Sequence, residues 1–542
     1  MSDALQREFV SPYHALKAQA GARPDRLFLG APASAELPYA PDGFAHRYDE
    51  ALANIEALRT AYAAAGYGHG ACVALLLENR PEFFWHWLAL NALGVSILPI
   101  NPDLRADDLA YQLSIAGPDL AVALPATHAL IKASGMTRVI APGDAPPACR
   151  AEVRRQVAER DDPCALLFTS GTTAKPKCCV LSNDYFLRIA GWYVSQPGEA
   201  AMGDGETVLT PLPMFHMNAL GCTVVGMILK GGTVVPLDRF HARRWWRTVR
   251  DSRSTVIHYL GVMPAILLQL EPQEAETAHR VHFGFGAGVD PRHQETFERR
   301  FGFPLIEAWA MTETGAGAVT STAGGPRHVG KRCIGRALAM DYRVVDDAGA
   351  DVRRGAAGEL LVRQKGDDPR RGFFSEYLKD APATAEAWEG GWFHTGDVVY
   401  EGEDRSLFFV DRKKNIVRRS GENIAVIEVE GVLMNLDAVA SVAVAPVPDE
   451  IRGEEVFALI VPRQTPGDAQ ALAEAIARAC AERLAYHKVP GHIAFVDAIP
   501  VTATQKLQRG AIKALAAQAV GAAGTIDLRD FKARLRQREK AL

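Results

Sequence analysis

A loop rich in hydroxyl groups follows an apolar run and contains two lysines. The apolar run, Cys164 to Phe168, predicts a buried strand, and residues 169–177 then read T-S-G-T-T-A-K-P-K. Hydroxyl and backbone N–H groups can surround polyphosphate oxygens, a glycine lets the backbone approach them, and lysine offsets their charge. The Walker A pattern G-x-x-x-x-G-K-[ST] cannot be placed on this loop. These residues therefore predict a phosphate site of another kind, with an ordinary surface loop as the alternative.

Later segments carry further side chains that could act on a nucleotide or an acid. They are P-L-P-M-F-H at 211–216, F-G-F-G-A-G at 283–288, E-A-W-A-M-T-E at 307–313, W-F-H-T-G-D at 392–397 and P-V-T-A-T-Q-K-L-Q-R at 500–509. Each has an ordinary explanation when it is taken alone. A histidine beside Phe and Met usually packs, a glycine run with the wrong spacing is no dinucleotide fingerprint, and a single surface lysine is usually inert. The order of the segments is more specific than any one of them.

This ordered set resembles the adenylate-forming superfamily, which comprises acyl-CoA synthetases, luciferases and the adenylation domains of peptide synthetases. The first loop is similar to the family pattern T-S-G-T-T-G-x-P-K-G, except that Ala174 and Cys178 replace glycines. The last segment is similar to P-K-T-x-T-G-K-[IL]-x-R, with Val501 for a lysine and Gln505 for the glycine. The resemblance covers about residues 40 to 515. Some segments also resemble bacterial carnitine- or crotonobetaine-type CoA ligases.

The resemblance implies a nucleotide site in the larger part of the chain. Trp309 would stack on adenine, Asp397 would accept hydrogen bonds from the ribose hydroxyls, and Thr312 would donate to the α-phosphate. Glu313 is the implied ligand of Mg²⁺, because this ion prefers oxygen ligands. The implied ATP- or AMP-binding residues are Thr169, Ser170, Gly171, Thr172, Thr173, Lys177, Gly286, Ala287, Gly288, Ala308, Trp309, Asp397 and Arg412.

The resemblance also implies residues for the chemistry and for the two other substrates. The implied catalytic residues are Lys506, Thr312, Glu313 and His216. The implied acyl pocket is lined by His216, Met217, Val262 and Met263. Lys414 would be the hinge residue, and coenzyme A would contact Ser420, Gly421 and Glu422. Amino-acid-activating relatives usually carry an aspartate in the segment at 211–218, and this chain has none there, so a plain acyl acid is predicted.

An alternation of strand-like and helix-like segments from about residue 40 predicts an α/β fold. The continuous apolar run at 71–77 is typical of a parallel strand that is covered on both faces. By resemblance, residues 1–411 form a large N-terminal domain of βα subdomains, residues 412–414 form a hinge, and residues 415–542 form a small mobile α+β domain that carries the catalytic lysine. The basic segment from Arg529 to Lys540 predicts a solvated helix, with contact to an anion or a membrane surface as the alternative.

Composition excludes several classes of function. The 542 residues are 48% hydrophobic with a net charge of -4, which is typical of a globular protein with two or three structural units. The mild acidity argues against a nucleic-acid surface. No apolar run reaches membrane-spanning length, and the first residues lack the layout of a secretory signal. The eight scattered cysteines are expected to be reduced, so a cytoplasmic enzyme is predicted, either a monomer or a homodimer.

The predicted activity is that of an ATP-dependent acyl-CoA synthetase. A carboxylic acid would react with ATP in the presence of Mg²⁺ to give an acyl-adenylate and pyrophosphate, and coenzyme A would then displace AMP. One alternative is an acyl-adenylate ligase that loads a carrier protein, or a luciferase-type oxidative second step. Another is a non-catalytic member that binds a nucleotide or acyl ligand, which the replaced glycines favour. An ATPase without an acyl substrate agrees less well with the segment at Phe215 to Ala219.

Overall fold

The computed structural model describes residues 8–169, 176–319, 326–336, 340–419, 422–501 and 507–539. Within these ranges the strands up to residue 412 are, in chain order, β1 (Leu27–Pro32), β2 (Gly43–Arg47), β3 (Cys72–Leu76), β4 (Ser96–Pro99), β5 (Leu120–Ala123), β6 (Val139–Ile140), β7 (Pro163–Thr169), β8 (Lys177–Ser182), β9 (Thr207–Thr210), β10 (Thr233–Pro236), β11 (Val256–Leu260), β12 (Phe283–Ala287), β13 (Leu305–Trp309), β14 (Ala318–Val319), β15 (Cys333–Gly335), β16 (Met340–Val345), β17 (Ala357–Gln364), β18 (Glu376–Tyr377), β19 (Phe393–Glu401) and β20 (Leu407–Arg412). The later strands are β21 (Ile416–Arg419), β22 (Glu422–Ala425), β23 (Val439–Asp449), β24 (Gly453–Pro462), β25 (His492–Phe495) and β26 (Thr525–Asp527).

Two of the sheets are mainly parallel. One has the strand order β14-β13-β12-β11-β9-β10-β1-β2, and the other has the order β18-β8-β7-β4-β3-β5-β6. Every residue of β3, β4 and β5 is buried. Parallel strands in the middle of a sheet are covered on both faces, so they need continuous apolar sequence. The run at 71–77 meets that need, and the predicted α/β fold is confirmed.

Helices connect these strands and also occur in the last part of the chain. They are α1 (Pro12–Ala22), α2 (Tyr48–Ala64), α3 (Pro81–Ala92), α4 (Ala106–Ala116), α5 (His128–Ala133), α6 (Asn183–Val194), α7 (Gly226–Lys230), α8 (Trp245–Asp251), α9 (Val262–Leu268), α10 (Pro291–Phe301), α11 (Ala381–Ala387), α12 (Val426–Leu433), α13 (Ala469–Ala481), α14 (Arg509–Ala519) and α15 (Arg529–Glu539). Proline occupies the first turn of α3, where its missing N–H costs nothing. In the part of the chain that the structure describes, no helix combines the length and apolarity needed to cross a membrane.

The residues after the hydroxyl-rich loop form a strand that the sequence analysis did not predict. Strand β8 runs antiparallel to β7, with Phe168 opposite Cys178 and Thr169 opposite Lys177. Helix α6 begins only after this strand, and its N-cap is Ser182, whose Oγ accepts the N–H of Tyr185 at 3.1 Å. Thr169 and Lys177, which flank residues 170–175 in sequence, are therefore direct partners in an antiparallel ladder.

The last strands form a sheet of their own. The third sheet, in the order β15-β20-β19-β17-β16, is antiparallel and ends with Arg412 of β20. The fourth has the order β22-β21-β24-β25-β26, with β23 paired to β24, and begins at Ile416. Its apolar core contains Val429, Ile460 and Ile476. A large N-terminal α/β part and a small C-terminal α+β part therefore follow each other along the chain, as predicted.

The basic C-terminal segment is helical, but the prediction that it is solvated is wrong for its first turns. Phe531 joins the apolar core of the last sheet, and Lys532 is only 1% exposed. Helix α15 is therefore a packed element of the small domain. The basic composition of this segment did not indicate burial, because lysine is usually exposed and is buried only where other groups accept its hydrogen bonds.

Candidate active site

The glycine-rich segment at 283–288 ends strand β12 between β11 and β13. Gly286 lies so close to β11 that a Cβ added to it would be 2.2 Å from the carbonyl oxygen of Tyr259. Only glycine fits at this position. Ala287 ends the strand with its side chain exposed, and Gly288 follows with φ of +80°. These three residues, which the resemblance implies to bind ATP or AMP, therefore form a tightly packed strand end with an open side.

Glu307 holds this strand end in place. Its carboxylate accepts the N–H of Gly288 at 2.8 Å, the N–H of Val289 at 3.3 Å and the hydroxyl of Tyr259. Burial raises the pKa of Glu307 to about 7, although these three hydrogen bonds favour the ionised form. Sequence reasoning missed this role, because Glu307 was read only as the first residue of the E-A-W-A-M-T-E segment. Its position on a strand beside a glycine-rich strand end is a signal that could have identified it.

Trp309, Asp397 and Arg412 form a connected group where β13 approaches β19 and β20. The indole Nε1 of Trp309 donates to Asp397 Oδ2 at 2.8 Å, and Arg412 Nε lies 2.6 Å from Asp397 Oδ1. Asp397 and Arg412 are also direct partners in the β19–β20 ladder. The Asp397 carboxylate is 1% exposed, whereas the Arg412 side chain is 41% exposed. Burial raises the pKa of Asp397, and the charge of Arg412 opposes that shift.

Asp397, the residue predicted to accept hydrogen bonds from the ribose, already contacts two other side chains. In the structure Asp397 Oδ2 accepts the indole N–H, whereas Oδ1 has an ion pair with the Arg412 guanidinium but no hydrogen bond from a described residue. A carboxylate can accept about four hydrogen bonds, so further donors can still be added. Arg412 is the exposed member of the group. The ring of Trp309 is fixed by its hydrogen bond and is 7% exposed.

Glu313 lies in a buried pocket with Tyr377 and Lys177. The hydroxyl of Tyr377 donates to Glu313 Oε1 at 2.9 Å, and Lys177 Nζ lies 4.7 Å from the centre of the Tyr377 ring. Burial raises the pKa of Glu313, while the Tyr377 hydroxyl, Arg412 and Lys177 all favour its ionised form. Tyr377 was not predicted, because its short strand carries no recognisable motif.

One carboxylate at this position fits a magnesium ion that a nucleotide brings with it. Mg²⁺ usually keeps several waters and takes one or two protein carboxylates plus substrate phosphates. Among the described residues, no group of three or more His, Cys, Asp or Glu side chains could hold a metal without such help. Glu313 therefore agrees with a metal–nucleotide site and not with a permanent metal centre. Thr312, half-buried, precedes it in the same turn.

Several predicted residues flank this site or lie outside the described ranges. Thr169 ends β7 and Lys177 begins β8, so both are at the mouth of the hydroxyl-rich loop. Ala308 is half-buried beside Trp309. The predicted residues outside the described ranges are Ser170, Gly171, Thr172, Thr173, Ser420, Gly421 and Lys506.

The residues predicted to line the acyl pocket are only partly brought together. His216 is exposed, with its ring 4.7 Å from that of Phe215, and Met217 is half-buried against the main core. A π-helix, Asn218–Val225, follows directly, which is a form often found at functional sites. On α9, Val262 is 46% exposed, but Met263 is 3% exposed and packs in another core cluster. The open side of α9 therefore carries Val262 and not Met263.

The segment at 411–415 connects the third and fourth sheets through one buried carboxylate. Asp411 accepts the N–H of Arg412 at 2.7 Å, the side chain of Asn415 at 3.2 Å and, across the connection, the N–H of Ile427 in α12 at 3.1 Å. Lys414, the predicted hinge residue, is half-buried, and burial together with Arg412 lowers its pKa. Asp411 was missed by the sequence analysis.

The segment that contains residue 506 is anchored on both sides. Val501 and Leu507 form an isolated antiparallel bridge, and the N–H of Gln508 donates to the carbonyl of Pro500 at 2.9 Å. Arg509 then binds Glu430 of α12 through both Nη atoms, at 2.5 and 2.8 Å. A bidentate pair of this kind has a fixed geometry, so it holds the end of this segment against the small domain.

Two family models match the chain over these regions. The model described as AMP-binding enzyme matches residues 16–373, and the model of the AMP-binding enzyme C-terminal domain matches residues 428–506. This chain belongs to the AMP-binding enzyme family. The second match includes Glu430 and ends at residue 506, before its partner Arg509.

Known AMP-binding enzymes resemble the chain over most of its length. The crotonobetaine/carnitine–CoA ligase of Escherichia coli O157:H7 is 29% identical over 496 residues, which cover 87% of this chain and 94% of that protein. The o-succinylbenzoate CoA synthetase of Bacillus subtilis, solved with ATP and magnesium ion, has a TM-score of 0.76 at 24% identity and covers 92% of this chain and 98% of its own. MatB from Rhodopseudomonas palustris, solved with ATP, has a TM-score of 0.76 at 22% identity, covering 93% and 98%.

Proposed function

We propose that this AMP-binding enzyme is an ATP-dependent acyl-CoA synthetase, which joins a carboxylic acid to coenzyme A and releases AMP and pyrophosphate. The observation that carries the proposal is the grouping around Arg412. This guanidinium pairs with Asp397, which in turn fixes Trp309, and its charge also acts on Glu313. The proposed base-stacking ring of Trp309, ribose acceptor Asp397 and metal ligand Glu313 are thereby connected through Arg412. The similarity to CoA ligases supports coenzyme A as the acceptor.

The first step makes a leaving group of AMP. A carboxylate oxygen of the acid attacks the α-phosphorus of ATP, and pyrophosphate leaves with the bond electrons. Catalysis of such a transfer is mainly positioning and charge stabilisation. Trp309 and the Gly286 strand end would position the adenine, Thr312 would donate to the α-phosphate, and Lys506 would offset the developing charge. Glu313 would hold Mg²⁺, which when bound neutralises phosphate charge.

The second step needs a different face of the small domain. The thiolate of coenzyme A attacks the carbonyl carbon of the acyl-adenylate, and AMP leaves. We propose residues 1–411 as the large domain, residues 412–414 with Lys414 as the hinge, and residues 415–542 as the small domain. A turn at this hinge would remove Lys506 from the nucleotide and bring Ser420, Gly421 and Glu422 to coenzyme A. The exposed Arg412 and the Asp411–Ile427 contact lie at this connection.

The acid is proposed to be a plain acyl acid of middle size. His216 would lie near its carboxylate, and the pocket would be lined by Met217 and Val262, with Met263 in the core behind them. The Escherichia coli relative is instead a ligase of crotonobetaine or carnitine, which carry a quaternary ammonium group. A cation of that kind is usually bound by aromatic faces or carboxylates. No acidic residue occurs in the segment at 211–218, so the neutral acid is favoured.

A matched pair of acids tests both the activity and this choice. The purified protein is assayed for ATP–pyrophosphate exchange and for CoA thioester with 4-(trimethylammonio)butanoate, its uncharged isostere 5,5-dimethylhexanoate, and a series of straight-chain acids. Exchange and thioester with the uncharged acids are expected, with the charged isostere at least about tenfold poorer. A preference for the charged isostere would reject the plain-acid choice. Nucleotide binding without exchange for any acid would reject the synthetase.

The acceptor is tested in the same assay. Coenzyme A and a phosphopantetheinylated carrier protein share the same thiol arm, so they are compared at equal concentration. We expect release of AMP with coenzyme A. Acylation of the carrier alone would reject coenzyme A as the acceptor and favour a carrier-loading ligase.

A further inference from the structure

Three charged side chains are buried together in the small domain. Arg419 of β21, Glu455 of β24 and Lys532 of α15 are 4%, 0% and 1% exposed. Arg419 Nε lies 2.9 and 2.8 Å from the two oxygens of Glu455, and Lys532 Nζ lies 3.0 Å from Glu455 Oε1. A buried charge is tolerated only where partners surround it, so the three residues act as one unit.

The ammonium group of Lys532 has all the acceptors that it can use. Besides Glu455, it donates to the carbonyl oxygen of Val489 and, at 3.5 Å, to that of His487. Three acceptors match the three N–H bonds of an ammonium group. Its pKa is lowered to about 8 by burial, with Glu455 opposing the shift. The lysine is thus specifically accommodated and is not a surface residue that happens to fold back.

The surrounding backbone is shaped for this unit. A Cβ added to Gly491 would lie 2.4 Å from the Glu455 side chain, so a larger residue there would displace the carboxylate. The ring of Tyr486 lies next to both cations, 5.5 Å from the Arg419 guanidinium and 5.4 Å from Lys532 Nζ. These contacts connect β21, β24, the turn before β25 and α15.

Arg419 links this unit to the hairpin of β21 and β22. It is the last residue of β21 and is paired with Glu422 of β22, so its backbone belongs to the base of this hairpin. Its side chain donates to both carboxylate oxygens of Glu455, and Glu455 in turn accepts from Lys532. Helix α15 lies after residue 506, where the match to the C-terminal family model ends.

We infer that Lys532 is a positioning residue for thioester formation, which acts through Glu455 on Arg419 and so fixes the base of the β21–β22 hairpin. The inference rests on the proposed function, in which Ser420, Gly421 and Glu422 approach coenzyme A. Replacing a buried ion unit by apolar groups often leaves stability unchanged, so stability alone does not explain its presence. A need to place the hairpin precisely explains the presence of this ion unit, because a displacement of about 1 Å can cost 100-fold in rate.

The first experiment needs no substrate. Hydrogen–deuterium exchange is compared for the wild type, Lys532→Met, which keeps the length of the side chain but removes its charge and donors, and Arg534→Met, which removes an exposed charge from the same helix. We expect amides of residues 416–425 to exchange roughly tenfold faster in Lys532→Met, with β23 and α13 unchanged. Arg534→Met should match the wild type. Unchanged exchange of the hairpin, or equally faster exchange throughout the small domain, would overturn the inference.

The second experiment separates the two half-reactions. With an accepted acid, Lys532→Met should keep pyrophosphate exchange within about twofold of the wild type and lose roughly tenfold in the CoA-dependent step. Glu455→Gln should give a similar loss, and the double variant should lose no more than either single variant, since the residues act in series. Equal losses in both half-reactions, or additive losses, would overturn the inference. A wild type without thioester activity would refute the proposed function. The hydrogen–deuterium exchange of residues 416–425 would still decide whether Lys532 positions the hairpin.

Discussion

The indole N–H of Trp309 donates a hydrogen bond of 2.8 Å to Asp397, 88 residues further along the chain. This contact joins β13 of a parallel sheet to β19 of an antiparallel sheet. It also fixes the aromatic ring and the carboxylate relative to each other before any nucleotide binds. The geometry allows predictions that separate the role of the ring from that of its N–H.

Trp309→Phe should raise the KM for ATP about tenfold. The change keeps an aromatic face but leaves a buried carboxylate oxygen without its donor, and an unsatisfied buried acceptor costs about 1–3 kcal/mol. Asp397→Ala should raise the same KM further. Trp245→Phe is the matched control, because the buried Nε1 of Trp245 has no hydrogen-bond partner among the described residues. Steady-state kinetics with varied ATP measure both effects. An unchanged KM in Trp309→Phe would contradict the role of this contact.

Lys506→Ala should lose roughly 100-fold in adenylate formation, which is typical of removing one preorganised charge donor. Thioester formation from supplied acyl-adenylate should be largely retained, because the proposed hinge movement would take this residue away before the second step. Lys513→Ala, at an exposed position of α14, is the control. Pyrophosphate exchange and single-turnover thioester formation give the two rates. Equal loss of both would show that the assigned role is wrong.

Tyr377→Phe should shift the acid limb of the pyrophosphate-exchange rate to higher pH. The Tyr377 hydroxyl favours the ionised form of Glu313, so its removal raises the pKa of this carboxyl group. In the proposed function Glu313 must be ionised to hold Mg²⁺. More Mg²⁺ should partly restore the rate. Tyr342→Phe is the control, since it removes a hydroxyl that donates to Glu401 at 3.0 Å, away from the site. The idea fails if both variants give the wild-type pH profile.

Glu307→Gln should change how stability depends on pH. The pKa of Glu307 is raised from 4.5 to about 7, so between these values the folded protein keeps a proton that the unfolded chain releases. The free energy of unfolding of the wild type therefore falls as the pH rises through this window, by up to about 3 kcal/mol. Glu307→Gln lacks this contribution.

The Tm of the wild type minus the Tm of Glu307→Gln should accordingly decrease from pH 5 to pH 8, because only the wild type loses this contribution. Asp184→Asn serves as the control. Burial opposes ionisation of Asp184, but Arg188 and Arg160 lower its pKa overall, so it stays ionised across this range. Its Tm difference from the wild type should be constant. A constant difference for Glu307→Gln as well would show that this carboxyl group does not titrate near pH 7.

The sequence predicted the elements with continuous or regular patterns. The buried strand Cys72–Leu76 was recognised from the apolar run at 71–77, because burial on both faces of a strand leaves a direct mark on the residue types. The motifs, in their order, also predicted the family. Strand β8 was missed, because Lys177 to Ser182 resembles the continuation of a loop until β7 is available as its partner.

What the sequence alone determined is the family, through the order of its motifs, and that resemblance implied which hydroxyl, carboxylate and aromatic side chains would serve a nucleotide. Only the tertiary structure decided their partners. Glu307 fixes a strand end, Tyr377 donates to Glu313, and Lys532 is buried against Glu455 instead of facing solvent. The reason is physical: burial, hydrogen-bond satisfaction and the resulting pKa depend on groups that are distant in sequence, and no local pattern records which distant group will be there.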